Sequence, residues 1–499
     1  GYLSTMTQYI LSNHEMSLAD KITIENGIPS LELMKNAGNA IFKNLPANTK
    51  GKKLVICGPG NNGGDGFVVA NLLINSGQRI DIYHPFESKD RSKDCSYYFN
   101  MISKNYFIQS INDLNQYDYV VDALFGTGLS RNISKKFILL FEKLNLSKKA
   151  IIAVDIPSGI NGNNSLPQPI ALKCSKTITF FCKKKCHFLF PSKKYCGEII
   201  VEDIGISKDV YSVMQPKIKK NDPSLWIKSF PFPSSSDHKY SRGLLIINSG
   251  PKFQTGAARL AGRSALRVGA GAVRLVCDKD AAEVLEPQIS VEMLSVISEK
   301  NDLQTILKDK KISSVLVGPG NGANDETKAR TLLALALVNH VVIDADAISC
   351  FADNPDELFI DTYPHTILTP HEGEFKRLFG GSFKEHDDKV VRCVEAAKIS
   401  GSIVLLKGAD TVIADPDGNV VINSSQAPYL ATAGSGDVLA GIIASLVGEN
   451  KMSAFDAACA GAWIHSYLGE YLGAGLIAED LIDNIPFAVK KLQQHERNN

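Results

Sequence analysis

Short apolar, β-rich runs alternate with helical patterns in two separate series along the chain, and each series carries a glycine-rich turn between a strand and a helix. The first series holds Leu54 to Cys57, a glycine loop, a helical stretch from Phe67 to Asn75, Arg79 to Tyr83, Val120 to Ala123 and Ile151 to Val154, with β segments Ile178 to Phe181 and Glu198 to Val201 behind them. The second starts at Gly243 with Leu244 to Asn248, a helical Ala257 to Val268, Ala272 to Val276, Ser314 to Val317, Val341 to Asp344, Thr366 to Leu368 and Ile403 to Lys407. Such alternation predicts βαβ units and parallel sheets covered on both faces.

At 499 residues the chain exceeds one ordinary core, since single cores stop growing near about 250–300 residues. Between the two series, Pro216, Pro223, Pro231 and Pro233, the basic Lys217 to Lys220 and the run Ser234 to Ser236 read as a linker over about 207–236. The expected division is a first domain over 1–222 and a second over 223–499. The glycine motifs of the two halves differ in order and spacing, so they are not repeats.

Lys and Arg number 54 against 53 Asp and Glu. That balance gives no general pull toward nucleic acid or an anionic membrane, so any anion site must be local. Gly1 to Asp20 has no apolar run behind a basic segment, and nowhere do about 18 apolar residues follow one another. Ten scattered cysteines in an α/β pattern suit reduced thiols, and a cytoplasmic protein is expected. Cys174, Cys182, Cys186, His187 and Cys196 cluster locally, but their spacing matches neither haem attachment nor a zinc site, so buried thiols are expected.

In the first half, Leu54-Val-Ile-Cys-Gly-Pro-Gly-Asn-Asn-Gly-Gly-Asp-Gly66 sets a glycine loop directly between strand and helix. Glycine lets backbone approach a ligand, and the free N–H groups of a helix start attract phosphate. Two further strand ends, Val120-Val-Asp122 and Ala153-Val-Asp155, each lead into a glycine turn. Ligands of open parallel sheets sit beyond such carboxyl ends, so Asp122 and Asp155 are candidates for one cleft, against the plainer role of capping a turn.

In the second half, Ala431-Thr-Ala-Gly-Ser-Gly-Asp-Val-Leu-Ala-Gly441 leads a glycine turn into a helix. Free N–H groups of Gly434, Ser435 and Gly436 are expected to stabilise charge on a transferred phosphoryl group. Asp437 beside them is placed to take a proton from a hydroxyl attacking phosphorus. Leu405-Leu-Lys-Gly-Ala-Asp-Thr411 ends another strand with Lys407, where nucleotide phosphates or ribose can be met, and Val317-Gly-Pro-Gly-Asn321 and Leu368-Thr-Pro-His371 add two loops. His371 is a candidate substrate contact, although a lone histidine is more often structural.

The loop Asn61 to Gly66, Asp122-Ala-Leu-Phe-Gly-Thr-Gly-Leu129 and Val154-Asp-Ile-Pro-Ser-Gly159 resemble the NAD(P)H-hydrate epimerase family over most of residues 10–206, as does Leu33-Met-Lys-Asn-Ala-Gly38. The resemblance implies a Rossmann-like doubly wound αβα sandwich. It also implies K+ at Asn62, Asp122 and Ser158, and substrate held by Asn61, Asn62, Gly63, Gly64, Asp65, Gly126, Thr127, Gly128, Leu129, Ser130, Arg131, Asn132 and Asp155. Asp155 is then the acid–base group beside the hydroxylated C6 of a hydrated nicotinamide. Ile160-Asn-Gly-Asn-Asn164 departs from that family's more acidic wording.

From His238 to about Pro486, His238-Lys-Tyr-Ser-Arg-Gly243, Gly318-Pro-Gly320, Asp344-Ala-Asp346, Leu368 to His371, Lys407-Gly408 and Gly434 to Asp437 resemble the NAD(P)H-hydrate dehydratase family of ribokinase-like proteins. That likeness implies a ribokinase-like α/β domain. Its substrate contacts fall at Ala257, Gly320, His371 and Asp437, its adenine-nucleotide contacts at Lys407, Gly408, Ala409, Asp410, Thr411, Gly434, Ser435 and Gly436. Together the halves imply repair of hydrated NADH and NADPH at the expense of ADP or ATP, with Mg2+ on the nucleotide, in a homo-oligomer without nucleic-acid or membrane partners. The residues alone leave open a small-alcohol kinase fused to a non-catalytic binding module.

Overall fold

Alternate residues of strand β1 (Lys52–Cys57) face opposite ways: Leu54 and Ile56 enter one apolar cluster, Val55 and Cys57 another. A strand buried on both sides is what a parallel sheet between two helical layers requires. The computed structural model describes residues 7–384, 387–425 and 427–498, and the chain separates into two compact units, Gln8–Pro216 and the chain from Lys217 onward.

The first unit is built on seven parallel strands: β1, β2 (Ile80–Tyr83), β3 (Phe107–Ile108), β4 (Tyr117–Ala123), β5 (Ala150–Val154), β6 (Lys176–Phe180) and β7 (Glu198–Glu202). Their spatial order is β3-β2-β1-β4-β5-β6-β7. Between β1 and β4 the chain changes its winding direction, which opens a crevice beyond the carboxyl ends of these strands. Helices Asn13–Glu25 and Ser30–Lys43 precede the sheet. Ser12 caps the former, accepting from the Glu15 N–H at 3.2 Å while the Glu15 carboxylate accepts from the Ser12 N–H at 3.0 Å.

The second unit has ten strands in the order β11-β10-β9-β12-β13-β14-β15-β16-β17-β8. They are β8 (Ile218–Lys220), β9 (Leu244–Asn248), β10 (Ala272–Cys277), β11 (Met293–Val296), β12 (Ile312–Val317), β13 (Val341–Ile343), β14 (Thr366–Leu368), β15 (Ile403–Leu406), β16 (Asp410–Ala414) and β17 (Val420–Ser424). The sheet is parallel from β11 to β15, and β16 then pairs antiparallel with β15 and β17. Its winding reverses between β9 and β12. The all-parallel first sheet and the mixed second sheet agree with the Rossmann-like and ribokinase-like α/β classes expected from the sequence.

The units divide at 216/217 rather than at the expected 222/223, and the stretch read as a linker over 207–236 is structured, 207–216 with the first unit and 217–236 with the second. Ile218 to Lys220 pair with Val420 to Ile422 as an edge strand, and lysines on such an edge discourage further pairing. Asn221 donates to Asn423 Oδ1 and to the Cys459 carbonyl, both at 2.8 Å, and accepts from Trp226 Nε1 at 3.0 Å. Trp226 is 1% exposed and shares the apolar core with Ile227 and Phe230. Proline and charge density suggested free chain; the buried aromatic anchors between them decide the structure. Among the described residues, no helix is long and apolar enough to cross a membrane.

Candidate functional site

The crevice at the β1–β4 switch holds a cavity of about 520 Å³. Its walls include Asn61, Asn62 and Asp65, the turn Gly126 to Leu129, and Asp155. Of the substrate residues expected from sequence, Gly63 and Gly64 lie buried behind this lining, and Ser130, Arg131 and Asn132 run on as exposed chain. The helix Asn61–Asn75 starts at Gly60 with no side-chain cap. Its first bonded N–H is that of Gly64, to the Gly60 carbonyl at 3.1 Å, so the N–H groups of Asn61, Asn62 and Gly63 are free to meet an anion. Glycine is required at position 63, because a Cβ there would stand 1.7 Å from the Gly58 carbonyl oxygen.

Asp155 ends β5 with φ +70°, a left-handed conformation costly for a non-glycine residue. Tertiary contacts hold it there. Its N–H donates to the Ile178 carbonyl at 2.7 Å, and its carbonyl accepts from His187 Nε2 at 2.8 Å. His187 Nδ1 in turn accepts from the Lys184 N–H at 2.9 Å, so the ring is a neutral Nε2–H tautomer. Burial keeps it uncharged, pushing its pKa down to about 4. On the side chain, Asp155 Oδ1 accepts from Thr179 Oγ1 at 2.7 Å and from Lys184 Nζ at 3.4 Å. Burial alone would raise this carboxyl, but the Lys184 charge and these bonds outweigh it and hold Asp155 below the usual carboxylate range.

Beneath the turn, Asp122 and Ser158 are fully buried. Asp122 accepts from the Ser158 N–H at 2.8 Å, from the Ser158 hydroxyl at 2.5 Å and from the Leu124 N–H at 3.3 Å. No cationic side chain pairs with it among the described residues, and burial pushes its pKa up to about 6. Asn62 stands next to Gly126 and has an amide nitrogen that is buried without a partner. Carboxylate, hydroxyl and amide oxygens around a buried uncompensated charge are a fitting donor set for a hard cation.

Several residues of this site lay outside the sequence reading. Lys184 and Thr179, with His187, which was read only as part of the cysteine cluster, come from β6 and the turn after it, where the Lys183-Lys184-Lys185 run beside two Asp-bearing strand ends was the available signal. Asp20 and Asn13 reach the cavity from the helix Asn13–Glu25. Asn13 Nδ2 donates to the Thr127 carbonyl at 2.7 Å and so pins the Gly126 turn. The cysteine cluster takes its expected place as buried thiols at Cys174, Cys182, Cys186 and Cys196, with His187 turned to the Asp155 backbone.

In the second unit, three strand ends and one helix start converge. Lys407, after β15, donates from Nζ to Asp344 Oδ1 at 2.8 Å, and Thr369, after β14, donates to the same oxygen at 2.8 Å. Lys407 Nζ lies 3.5 Å from the position of a Cβ on Gly436, which brings it to the start of the helix Ser435–Leu446. Asp437 sits in that first turn, its pKa pushed up to about 6 by burial and by Asp344, with Lys407 pulling the other way. Gly434 precedes the helix with φ +84°, a conformation that favours glycine.

One expectation about this turn is corrected. Ser435 does not present a free N–H: it donates to the Thr432 carbonyl at 3.2 Å, and its hydroxyl lies 2.8 Å from His465 Nε2. The free amides at the helix start are those of Gly436 and Asp437, because the tight Gly434 turn folds Ser435 back on Thr432.

The other expected residues are distributed unevenly. Ala257 and Gly320 are neighbours, 3.1 Å separating the Ala257 Cβ from the position of a Cβ on Gly320. His371 caps the helix Glu372–Phe379, its Nδ1 accepting from the Glu374 N–H at 3.1 Å, with its ring half exposed. Asp410 is buried and ion-paired with Lys389 at 2.7 Å, and the Thr411 hydroxyl donates to the Gly408 carbonyl at 2.8 Å. From the Lys407 to Thr411 segment, the Lys407 ammonium is thus the group nearest the Gly436 helix start.

Residues 244–486 match the family model described as NAD(P)H-hydrate dehydratase, and residues 30–186 match that of the YjeF-related protein N-terminus. The chain is 32% identical to the bifunctional NAD(P)H-hydrate repair enzyme Nnr of Thermofilum pendens, covering 96% of both chains. It is 30% identical to the enzyme of the same name from Escherichia coli, over 92% of this chain and 89% of that one. Among solved structures, the ADP/ATP-dependent NAD(P)H-hydrate dehydratase of Bacillus subtilis is similar with a TM-score of 0.45 and 23% identity, covering 53% of this chain and 95% of that one. The chain belongs to the bifunctional NAD(P)H-hydrate repair enzymes, with the epimerase in its first unit and the nucleotide-dependent dehydratase in its second.

Proposed function

We propose that the hydrated nicotinamide enters the cavity of the first unit with its C6 hydroxyl beside Asp155 and an anionic phosphate on the free amides of Asn61, Asn62 and Gly63. Asp155, kept ionised by Lys184, accepts a proton there while C6 is inverted. Gly126 to Asn132 closes over the nucleotide, with Asn13 holding the turn in place. Asn62, Asp122 and Ser158 would hold K+, whose charge would offset that of the buried Asp122 beneath the turn that carries Gly126.

In the second unit, Asp437 removes the proton from the C6 hydroxyl of the S epimer as that oxygen attacks the terminal phosphorus of ADP or ATP. The amides of Gly436 and Asp437, with Lys407, stabilise the charge that develops on the transferred group. Phosphate is a better leaving group than hydroxide, so elimination from C6 and C5 restores the dihydronicotinamide. ADP yields AMP and phosphate. Mg2+ would accompany the nucleotide and screen the charge on its phosphates, while Ala257, Gly320 and His371 border the substrate and Lys407 to Thr411 the nucleotide.

The observation that carries this reading is that each unit sets a lysine-paired group of carboxyls and an uncapped helix start at the carboxyl end of its sheet. Product analysis tests it. Incubation of S hydrate with ADP or ATP should give NADH and inorganic phosphate in step; a stable phosphorylated alcohol would instead mark a kinase.

A further inference from the structure

Four carboxyl groups line the cavity of the first unit, those of Asp20, Asp65, Asp94 and Asp155, and among the described residues only that of Asp155 is tied down. Asp155 gives Oδ1 to Thr179 and Lys184. Asp20, on the helix Asn13–Glu25, and Asp65, on the helix Asn61–Asn75, make no hydrogen bond or ion pair among the described residues. Lys184 has nothing left for them, since its ammonium also donates to Thr179 Oγ1 and to the Phe180 carbonyl, both at 2.7 Å. The ionisable groups facing Asp20 are Lys184 from the turn after β6, Asp155 from the end of β5 and Asp65 from its own helix. One lining cation among four carboxyls obliges the cluster to retain protons.

We propose that Asp20 is the second acid–base group of the epimerase site, exchanging a proton with the C6 oxygen on the ring face turned away from Asp155; this rests on the hydrated ring lying in this cavity. Asp20 enters from a helix and Asp155 from a strand end, so the two carboxyls reach the cavity from different elements. In one direction the C6–O bond breaks as the ring-nitrogen lone pair forms the C6–N double bond, and the departing oxygen takes the Asp20 proton and leaves as water. A solvent water then adds to C6 from the other face, the electron pair returns to nitrogen, and the proton released goes to Asp155. One oxygen leaves, one enters, and no electrons are transferred. The reverse reaction carries the proton back, and solvent exchange resets the pair between turnovers.

Asp20 suits this task better than Asp65. Burial, reinforced by Asp155 and Asp20, holds Asp65 well above the usual carboxylate range, so it keeps its proton. Burial lifts Asp20 as well, but Lys184 lowers it against Asp155, leaving it at about 6, near the neutral range where a group both gives and takes a proton.

The test measures interconversion of the epimers by the full chain carrying Asp20→Asn, Asp20→Glu, Asp65→Asn or Asp155→Asn, in water enriched in heavy oxygen. Asp20→Asn should lower kcat by about 10²–10⁴-fold with KM little changed, Asp20→Glu should recover much of the loss, and each inversion by the parent should bring solvent oxygen to C6. Near-parental kcat in Asp20→Asn, with Asp155→Asn inactive, would overturn the role of Asp20 alone. If both variants stayed active, the placement of the ring would fall too. Equal loss in both Asp20 variants together with a lowered melting temperature would mark a structural residue and also overturn the proposal.

Discussion

Lys184 Nζ lies 3.4 Å from Asp155 Oδ1, and both side chains are largely withdrawn from solvent. The lysine keeps the carboxylate ionised in a place where burial would protonate it. Asp155 therefore contributes stability above the ordinary aspartate range, and that contribution is lost as pH falls through its lowered folded pKa.

Lys184→Met should reverse this balance. Burial then dominates, Asp155 titrates at higher pH, and the acidic limb of the epimerase kcat/KM profile should move upward. Breaking a buried pair also costs about 3–5 kcal/mol, which a thermal melt will register in the first unit. An unmoved acidic limb would remove Lys184 from the account.

Asp437 should set the acidic limb of the dehydratase. Because it must be ionised to act as base and its pKa is pushed up to about 6, kcat/KM should rise as pH increases through that value and level off above it. The linked stability runs the other way: the raised pKa favours the folded state at low pH and the benefit is lost as pH rises through about 6. A flat profile from pH 5 to 8, as flat as expected for an ordinary carboxylate of about 4, would contradict the assignment.

Asp122 should bind K+ in its ionised form. Replacing K+ by tetramethylammonium should lower the melting temperature of the first unit, and Asp122→Asn should abolish that difference. Stabilisation follows ligand concentration over the dissociation constant, about 2.7 kcal/mol at a hundredfold excess. A melt indifferent to K+ would argue against the site.

Trp226→Ala should destabilise the second unit by about 3–5 kcal/mol, the usual cost of removing a buried aromatic side chain. The same substitution in a free linker would leave the melt unchanged.

Much of this was legible because parallel strands advertise themselves. Leu244 to Asn248 and Thr366 to Leu368 were read to the residue, as continuous apolar runs buried on both faces. The hairpin of β16 and β17 was not, although Asp415-Pro-Asp-Gly418 between them is a turn signal. Edge strand β8 hid in lysines and prolines that look like linker. At the sites, Asp155 and Asp437 stood at strand ends and helix starts where local sequence marks them. Lys184 and Asp20 did not, since their importance comes from distant segments folding onto one cavity, and a run of lysines or a helical aspartate reads as solvated surface.

The most direct measurement of the central claim, two separable sites in one chain, supplies mixed NADH hydrate epimers and ADP or ATP and follows both restored NADH and the epimer ratio. Asp155→Ala should restore NADH rapidly only from the S epimer already present and then stall, whereas Asp437→Ala should restore none while still interconverting the epimers. Parental NADH recovery by Asp437→Ala, or parental interconversion by Asp155→Ala, would contradict the account.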